Sequence, residues 1–164
     1  MCQIHCTQKL LKEIGEDDLH HFNYLQNSLI GNWYANIFKV GRYKNLIFVN
    51  EKTLFSFIIL RTKQKEFQNL HEVFINGLKN ALDFINIDVN AINQIILEYN
   101  DNIKLTNTGN RKIIGNMNNL VYLYKHIMEY DHEINKIIIK ANNMPQRNLK
   151  WLSSTEALYK IIEA

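Results

Sequence analysis

Three residues near the N-terminus, Cys2, His5 and Cys6, are of types that bind zinc. On a strand, Cys2 and Cys6 share one face while His5 points to the other, so the three side chains do not converge. The chain has no second cysteine pair, although structural zinc sites are usually built from paired ligands at both ends. We therefore predict neither a metal nor a cofactor and interpret both cysteines as buried structural thiols.

Cys6 has a second interpretation, because it directly precedes a predicted helix and a helix N-terminus lowers the pKa of a thiol. A cysteine nucleophile also needs a base and an oxyanion donor. The sequence places neither His5, His71 nor His126 beside it. A small apolar residue that closes the start of the helix is the favoured interpretation, and the nucleophile is the alternative.

Six cations are predicted to converge at one end of an antiparallel three-stranded sheet. In such a sheet the first turn, at Gly41, lies at the same end as the exit from the third strand, after Leu60. This basic rim consists of Lys39, Arg42, Lys44, Arg61, Lys63 and Lys65. The cations can contact phosphates, and Tyr43 among them can stack on a base. We favour the alternative that lysines at a sheet edge serve to discourage strand-to-strand aggregation.

A polar segment, residues 106–112, leads into a long predicted helix. Free backbone N–H groups at a helix start, together with Arg111 and Lys112, can hold an anion. A capped and solvated helix start explains the same residues, and we favour that explanation. The phosphate-loop pattern GxxxxGK[ST] is absent from the chain, as are HExxH, GxSxG and GxGxxG.

The first half of the chain alternates between strand and helix periods. Thr7 is predicted to cap a helix over residues 8–14, which Gly15 ends, and a second helix is predicted over 19–30. The last strand is apolar on both faces, so we expect it to be central and covered. The predicted strands cover residues 3–6, 33–38, 44–49 and 54–60.

From residue 69 onward the apolar residues follow helical spacing, with Asn69 and Glu72 as one predicted capping box and Ser153 with Glu156 as another. An edge strand is expected near residues 103–105. These patterns predict an α+β fold, in which an N-terminal antiparallel β-meander of three to five strands packs against four or five amphipathic helices. Strands first and helices afterwards indicate a segregated α+β layer and not a βαβ sheet, and we expect residues 1–164 to form one domain.

Composition narrows the class of protein. A chain of 164 residues with 46% hydrophobic and 21% charged residues has the size and balance of one globular domain. Its net charge of +3 permits a polyanionic partner without demanding one. Residues 1–12 hold no apolar run of signal-peptide length, and no apolar stretch is long enough to span a bilayer. With only two cysteines, the chain is expected to be cytoplasmic and to have no membrane partner.

Four segments together resemble an uncharacterised bacterial domain-of-unknown-function family. They are CTQKLLKEI (6–14), GNWYANIF (31–38), LIFVNEKTLFSFII (46–59) and NRKIIGNMNNL (110–120). The family members have a Cys-Thr-Gln-Lys-Leu opening, a Trp-x-Ala-Asn strand, an Asn-x-x-Thr-Leu turn and an Asn-Arg-x-x-x-Gly-x-Met-Asn helix start. The resemblance covers roughly the first three quarters of the chain, and the part after about Tyr130 carries no matching motif.

The resemblance implies a small intracellular protein of a bacterium, plasmid or phage, and it implies no activity. It also implies a candidate polar site made of the polar residues within the shared motifs. These residues are Thr7, Lys9, Trp33, Asn36, Asn50, Thr53, Asn110, Arg111 and Asn118. The basic rim lies outside the shared motifs. Asn116 stands where the family commonly has serine, so a hydroxyl role there is not expected.

Two functions are compatible with these observations. The favoured one is a binding module whose partner is a protein or, through the basic rim, a nucleic acid. The alternative is a small enzyme acting on a nucleotide or another phosphate-bearing substrate, in which Arg111 works with Thr7, Lys9 and Asn50. The two candidate sites disagree in location, because the rim follows from strand topology and the polar site from the resemblance.

Overall fold

The protein is an α+β fold built on a five-stranded mixed sheet. The computed structural model describes residues 2–16, 28–100, 103–108 and 110–164. The sheet has the order β4-β3-β2-β1-β5, with strands β1 (Cys2–Cys6), β2 (Trp33–Val40), β3 (Tyr43–Asn50), β4 (Ser56–Ile59) and β5 (Ile103–Asn107). Most of the helix predicted over 19–30 lies outside the described residues.

The predicted antiparallel meander is confirmed, because β2 pairs with β3 and β3 with β4 in antiparallel register. The prediction that the last of these strands is central was wrong, since β4 forms an edge of the sheet. Three of its four residues are nevertheless buried, because helices pack on both faces of the strand. Burial on two faces gives a continuous apolar run whether the strand is central or at the edge.

Strand β1 lies between β2 and β5 and is parallel to both. The helix that follows it, α1 (Gln8–Ile14), therefore connects two adjacent parallel strands. This β1–α1–β2 connection is a local departure from the predicted segregation of strands and helices, within the predicted α+β class. Parallel pairing between short strands has no local sequence signal, in contrast to the tight turns that mark an antiparallel meander.

The helices of the described residues cover the two faces of the sheet. After α1 they are α2 (Gln64–Gln68), α3 (Leu70–Phe84), α4 (Val89–Asn100), α5 (Arg111–Met128), α6 (Ile134–Asn142) and α7 (Ser154–Ile162). A short 3₁₀ turn covers Arg147–Leu149. None of the described helices has the length and apolar character needed to cross a membrane.

The side-chain caps predicted at Thr7 and at Ser153 are confirmed. Thr7 caps α1 by accepting a hydrogen bond from Leu10 N–H, and the Ser153–Glu156 capping box begins α7. The capping box predicted at Asn69 was wrong. The Asn69 amide instead donates to the carbonyl of Lys65 at 2.9 Å, because a short helix, α2, ends where α3 begins.

One face of the sheet, here called the Trp33 face, carries an aromatic cluster. Trp33 lies 5.6 Å from Phe57 of β4 and 5.4 Å from Phe74 of α3, measured between ring centroids. Its indole N–H donates to the hydroxyl of Tyr99 on α4 at 3.1 Å. The helix α3 comes so close that a Cβ on Gly77 would lie 2.6 Å from the Phe57 ring. Glycine at this position is what permits the close packing.

The opposite face, here called the Ser56 face, is covered by α5 and α6. The Ser56 hydroxyl lies 2.8 Å from the Tyr124 hydroxyl of α5. The Asn142 amide of α6 accepts from the Ser56 backbone N–H at 2.9 Å and donates to the Ser56 carbonyl at 2.8 Å. This pair of bonds closes the outer edge of β4 at Ser56 in the way that another strand would.

Candidate functional site

Part of β2 has an edge on which no described strand lies. The register pairs β1 only with the first three residues of β2, ending at Cys6 and Ala35, where Thr7 N–H donates to the Ala35 carbonyl at 3.1 Å. Beyond this point β1 has turned into α1, while β2 continues to Val40. We call residues 36–40 on this side the open edge of β2.

The direction of the backbone groups along this edge follows from strand geometry. The Glu51 N–H donates to the Asn32 carbonyl, so the even-numbered residues of β2 exchange hydrogen bonds with β3. The odd-numbered residues then point their backbone groups to the other side, as the bond from Thr7 to Ala35 shows. The backbone groups of Ile37 and Lys39 consequently face the open edge.

A groove of about 540 Å³ runs along the open edge. Its walls come from α1, from β2 and β3, and from α5, and its apolar lining comes from Ile37, Phe38 and Val121. The polar lining consists of Lys9, Lys12, Glu13, Asn36, Lys39, Lys44, Asn118 and Lys125. We call it the lysine groove, because five lysines line it against one carboxylate.

The charge of the lysine groove is strongly one-sided. The single carboxylate, Glu13, forms an ion pair with Lys44. Lys9, Lys12, Lys39 and Lys125 are exposed, so their ammonium groups are open to solvent and to a ligand. Clustered charges of one sign in a concave site raise the local concentration of counter-ions and steer an oppositely charged partner towards it. The electrostatic potential in the groove is therefore expected to be positive.

Thr7 and Asn36 act as a unit at the closed end of the groove. The Thr7 hydroxyl donates to Asn36 Oδ1 at 2.6 Å, and the Ile37 N–H donates to the same oxygen at 2.8 Å. Because a backbone N–H can only donate, the atom facing it must be the amide oxygen. The Nδ2 group of Asn36 is then the donor that this residue offers to a ligand.

The structure brings part of the candidate polar site together. Lys9, Asn36 and Asn118 line the groove, and Thr7 holds Asn36. The segments that lead into α1 and α5 are joined, since Thr108 N–H donates to the Cys6 carbonyl at 3.2 Å.

Asn110 and Arg111 stand at that start of α5. Asn110 Oδ1 caps the helix by accepting from Lys112 and Ile113 N–H. Arg111, Asn118 and Lys125 are spaced seven residues apart, so they share one face of α5. Arg111 is thus placed to extend the cationic wall of the groove.

Trp33, Asn50 and Thr53 do not belong to this site. Trp33 lies in the aromatic cluster. Asn50 is buried and holds the β3–β4 turn: its Oδ1 accepts from Lys52 N–H, Thr53 N–H and the Thr53 hydroxyl, while Nδ2 donates to the Ile30 carbonyl. The proposed cooperation of Asn50 with Thr7 and Arg111 is therefore corrected, because both polar atoms of the Asn50 side chain are already hydrogen-bonded within the protein.

The basic rim is divided among three surroundings. Lys39 and Lys44 line the lysine groove. Arg42 and Arg61 both lie against the Tyr43 ring, with guanidinium carbons 5.1 and 4.4 Å from its centroid. Lys63 and Lys65 are exposed at α2. The rim residues share one end of the sheet, since Thr62 N–H donates to the Lys44 carbonyl, but only two of the six face the groove.

Three polar residues of the groove were missed from the sequence, namely Lys12, Glu13 and Lys125. Lys9 and Lys12 are three residues apart on a helix whose buried positions are Leu10 and Leu11, which marks them as exposed neighbours. The signal that would have located the groove is the difference in length between the first strand and the second. The sequence patterns did not reveal that these two strands are neighbours in the sheet.

The two cysteines are free and buried thiols. Burial raises the pKa of the Cys6 thiol to about 12 and also raises the pKa of Cys2. Since the thiolate is the reactive form, we expect both thiols of the folded protein to react with a disulfide reagent at pH 8 far more slowly than those of the urea-unfolded chain. Absorbance of the released thiolate measures this. Fast reaction of Cys6 in the folded protein would instead restore the nucleophile interpretation.

The raised pKa of Cys6 also gives a pH dependence of stability. The thiol of the unfolded chain ionises first as the pH rises, so this contribution to folding is complete below the ordinary thiol pKa. It is lost progressively as the pH approaches about 12.

The chain was compared with known proteins and families. No curated protein and no solved structure matches it. A family model described as Domain of unknown function (DUF6933) matches residues 3–157. That match extends past Tyr130 into the part of the chain in which no motif was found. The chain therefore belongs to this family of unknown function, which confirms the resemblance to an uncharacterised domain family.

Proposed function

We propose that the protein is a binding module that holds an anionic partner in the lysine groove. The observation that carries this proposal is the gathering of five lysines, from α1, β2, β3 and α5, around one groove beside an open strand edge. Lysine side chains lose rotamer freedom and repel one another when they are brought together. A ligand with negative charge offsets that repulsion.

The remaining groove residues suit recognition. Asn36 and Asn118 offer amide groups, and Ile37, Phe38 and Val121 offer apolar contact. The Thr7 hydroxyl is engaged by Asn36 and by the cap of α1. The alternative, an enzyme acting on a phosphate-bearing substrate, relied on Asn50, and that side chain is committed to the β3–β4 turn. Binding is thus the function that the described geometry supports better.

Charge reversal in the groove tests the proposal. The groove variant is Lys9→Glu/Lys39→Glu/Lys125→Glu, and its control is Lys52→Glu/Lys79→Glu/Lys160→Glu, which reverses three exposed lysines elsewhere. The probes are fluorescein-labelled oligoglutamate and single-stranded oligothymidine, whose anisotropy is measured at about 50 and 300 mM salt. We expect at least one probe to bind the unaltered protein, and the groove variant to bind it at least about tenfold more weakly, or about 1.4 kcal/mol.

The control variant is expected to stay within about twofold of the unaltered protein, because surface charges more than a Debye length away are screened. A third variant, Arg42→Glu/Arg61→Glu/Lys63→Glu, separates the groove from the rest of the basic rim. Equal losses in the groove and control variants would contradict the proposal. So would binding that depends on the rim variant alone, or the absence of binding by either probe at low salt.

The setting of the protein is also a proposal. Both cysteines are free thiols, which is the state that a reducing compartment maintains, so we propose a cytoplasmic location. An origin in a bacterium, plasmid or phage stays a prediction of the motif resemblance.

A further inference from the structure

We propose that the occupant of the lysine groove is an extended acidic peptide segment of another protein, which adds as a strand to the open edge of β2. This inference rests on the proposed function and names the partner class. Strand addition uses main-chain hydrogen bonds for affinity and alternate side chains for specificity. The open edge and the lysines of the same groove supply these two components together.

The backbone of the open edge offers the main-chain component. The Ile37 N–H is already bonded to Asn36 Oδ1. The Ile37 carbonyl and both backbone groups of Lys39 face the groove, because odd-numbered residues of β2 direct their backbone groups to the same side as Ala35. Residues 36–40 are five residues long, which corresponds to about 16 Å of strand. A peptide of five to seven residues can follow this length.

The outer edge of β4, on the other side of the meander, differs from the open edge of β2. At the outer edge of β4, the Asn142 amide bonds to both backbone groups of Ser56. A side chain thus occupies the place of a strand there. Along the open edge of β2, lysine ammonium groups lie beside the backbone groups that face the groove. These ammonium groups repel a second copy of this basic chain and attract an acidic strand.

The two walls of the groove differ in chemistry, and this difference specifies the peptide. The odd-numbered residue Lys39 and its partner Lys44 project to the Trp33 face. Helix α1, with Lys9 and Lys12, lies on the same side, since its Ile14 lines a second groove with Leu70 of α3. Glu13 is the single acidic residue on this wall. We call it the α1 wall.

The opposite wall belongs to the Ser56 face, where α5 packs through Tyr124. It carries Phe38, Val121, Asn118 and Lys125, so it is mixed in character. Successive side chains of an added strand point to opposite faces. Every second residue of the peptide should therefore be acidic, towards the α1 wall, and the residues between should be small or apolar, towards α5.

A peptide fits these features better than a nucleic acid. Proteins that bind single-stranded nucleic acid without sequence preference use exposed aromatic rings as stacking platforms. The aromatic ring of the groove, Phe38, is 5% exposed. The Tyr43 ring nearby already stacks with the guanidinium groups of Arg42 and Arg61.

The test compares two labelled peptides of identical composition. The alternating probe is Glu-Thr-Glu-Val-Glu-Thr-Glu, and the block probe has its four glutamates together, followed by the two threonines and the valine. Anisotropy titration at low salt is expected to give at least about tenfold tighter binding of the alternating probe. Oligothymidine of matched charge is the third probe and is expected to bind more weakly than either peptide.

Backbone methylation of the alternating probe tests the pairing itself. N-methyl groups on one set of alternate residues remove the hydrogen bonds to β2 and are expected to weaken binding at least about tenfold. The same groups on the other set point away from β2 and should weaken it less. Equal effects of the two sets, or equal binding of the alternating and block probes, would overturn strand addition.

On the protein side, Lys39→Pro is compared with Lys39→Ala. Both remove the ammonium group, but only proline removes the backbone donor at the open edge. We expect K39P to bind the alternating probe at least about fivefold more weakly than K39A, with thermal unfolding recorded for both. The methylated peptides decide the question without any change to the protein.

The two proposals fail in distinguishable ways. If the groove reversal variant weakens both peptides while methylation and residue order make no difference, anion binding stands and strand addition is wrong. If oligothymidine binds more tightly than the alternating probe, the partner is a nucleic acid and the peptide inference is wrong. If no probe responds to the groove reversal, both proposals are wrong.

Discussion

Replacement of Trp33 by alanine is expected to lower the free energy of unfolding by about 3–5 kcal/mol. The side chain is fully buried and contacts the rings of Phe57 and Phe74. Its loss leaves a cavity between the sheet and α3. It also removes the donor to the Tyr99 hydroxyl, which itself donates to the Gly31 carbonyl at 2.7 Å. Chemical unfolding monitored by circular dichroism measures the effect.

The chain provides a matched control in its second tryptophan. Trp151 is 68% exposed, so Trp151→Ala is expected to change the free energy of unfolding by less than about 0.5 kcal/mol. The single-tryptophan variants also report fluorescence separately, with Trp33 blue-shifted relative to Trp151. A small effect of Trp33→Ala on stability, together with weaker binding of an anionic probe, would return Trp33 to the candidate polar site.

Replacement of Asn50 by alanine is expected to cost about 2–4 kcal/mol of folding free energy. Its amide bonds to the Ile30 carbonyl at 2.8 Å, to Thr53 N–H at 3.0 Å and to the Thr53 hydroxyl at 3.0 Å. The variant leaves these buried groups without their partner, and unmet buried polar groups are more costly than the net gain from the bonds they replace. Urea titration of the variant measures the loss.

Two comparisons sharpen this prediction. Asn76 is exposed in the middle of α3, so Asn76→Ala is expected to be neutral or slightly stabilising through helix propensity. Thr53→Ala removes one of the same bonds, and the double variant should therefore cost less than the sum of the single ones. Strict additivity would show that the two side chains do not act through a shared turn. The affinity of folded Asn50→Ala for the groove probes is expected to be unchanged.

Much of the secondary structure was predictable because its signals are local. Thr7 and Gly15 bound α1 as predicted, and the turn at Gly41 joins two strands whose antiparallel pairing follows from their closeness along the chain. The pairing of β1 with β5 joins residues about a hundred positions apart. No period, cap or turn residue encodes a parallel contact over that separation. The parallel pairing of β1 with β2, which places Ile4 beside Trp33, has no such local signal either, so the βαβ connection was also missed.

The candidate site was predictable only in fragments for the same reason. The motif resemblance supplied Lys9, Asn36 and Asn118, and the meander topology supplied Lys39 and Lys44. These two sets had been assigned to different places, yet the structure puts all five along one groove. The five residues come together because β1 pairs with only three residues of β2. The length of that pairing is a property of the tertiary structure and not of any one segment.

The Asn142 side chain has a further consequence for how this protein behaves at high concentration. A sheet can grow only where its outermost strand presents free backbone groups to a newcomer. By binding Ser56 through both of its amide atoms, Asn142 occupies the backbone groups of β4 at that position, so that an incoming strand could not pair with Ser56. The protection of this sheet edge at Ser56 thus depends on a residue of α6, more than eighty positions away along the chain.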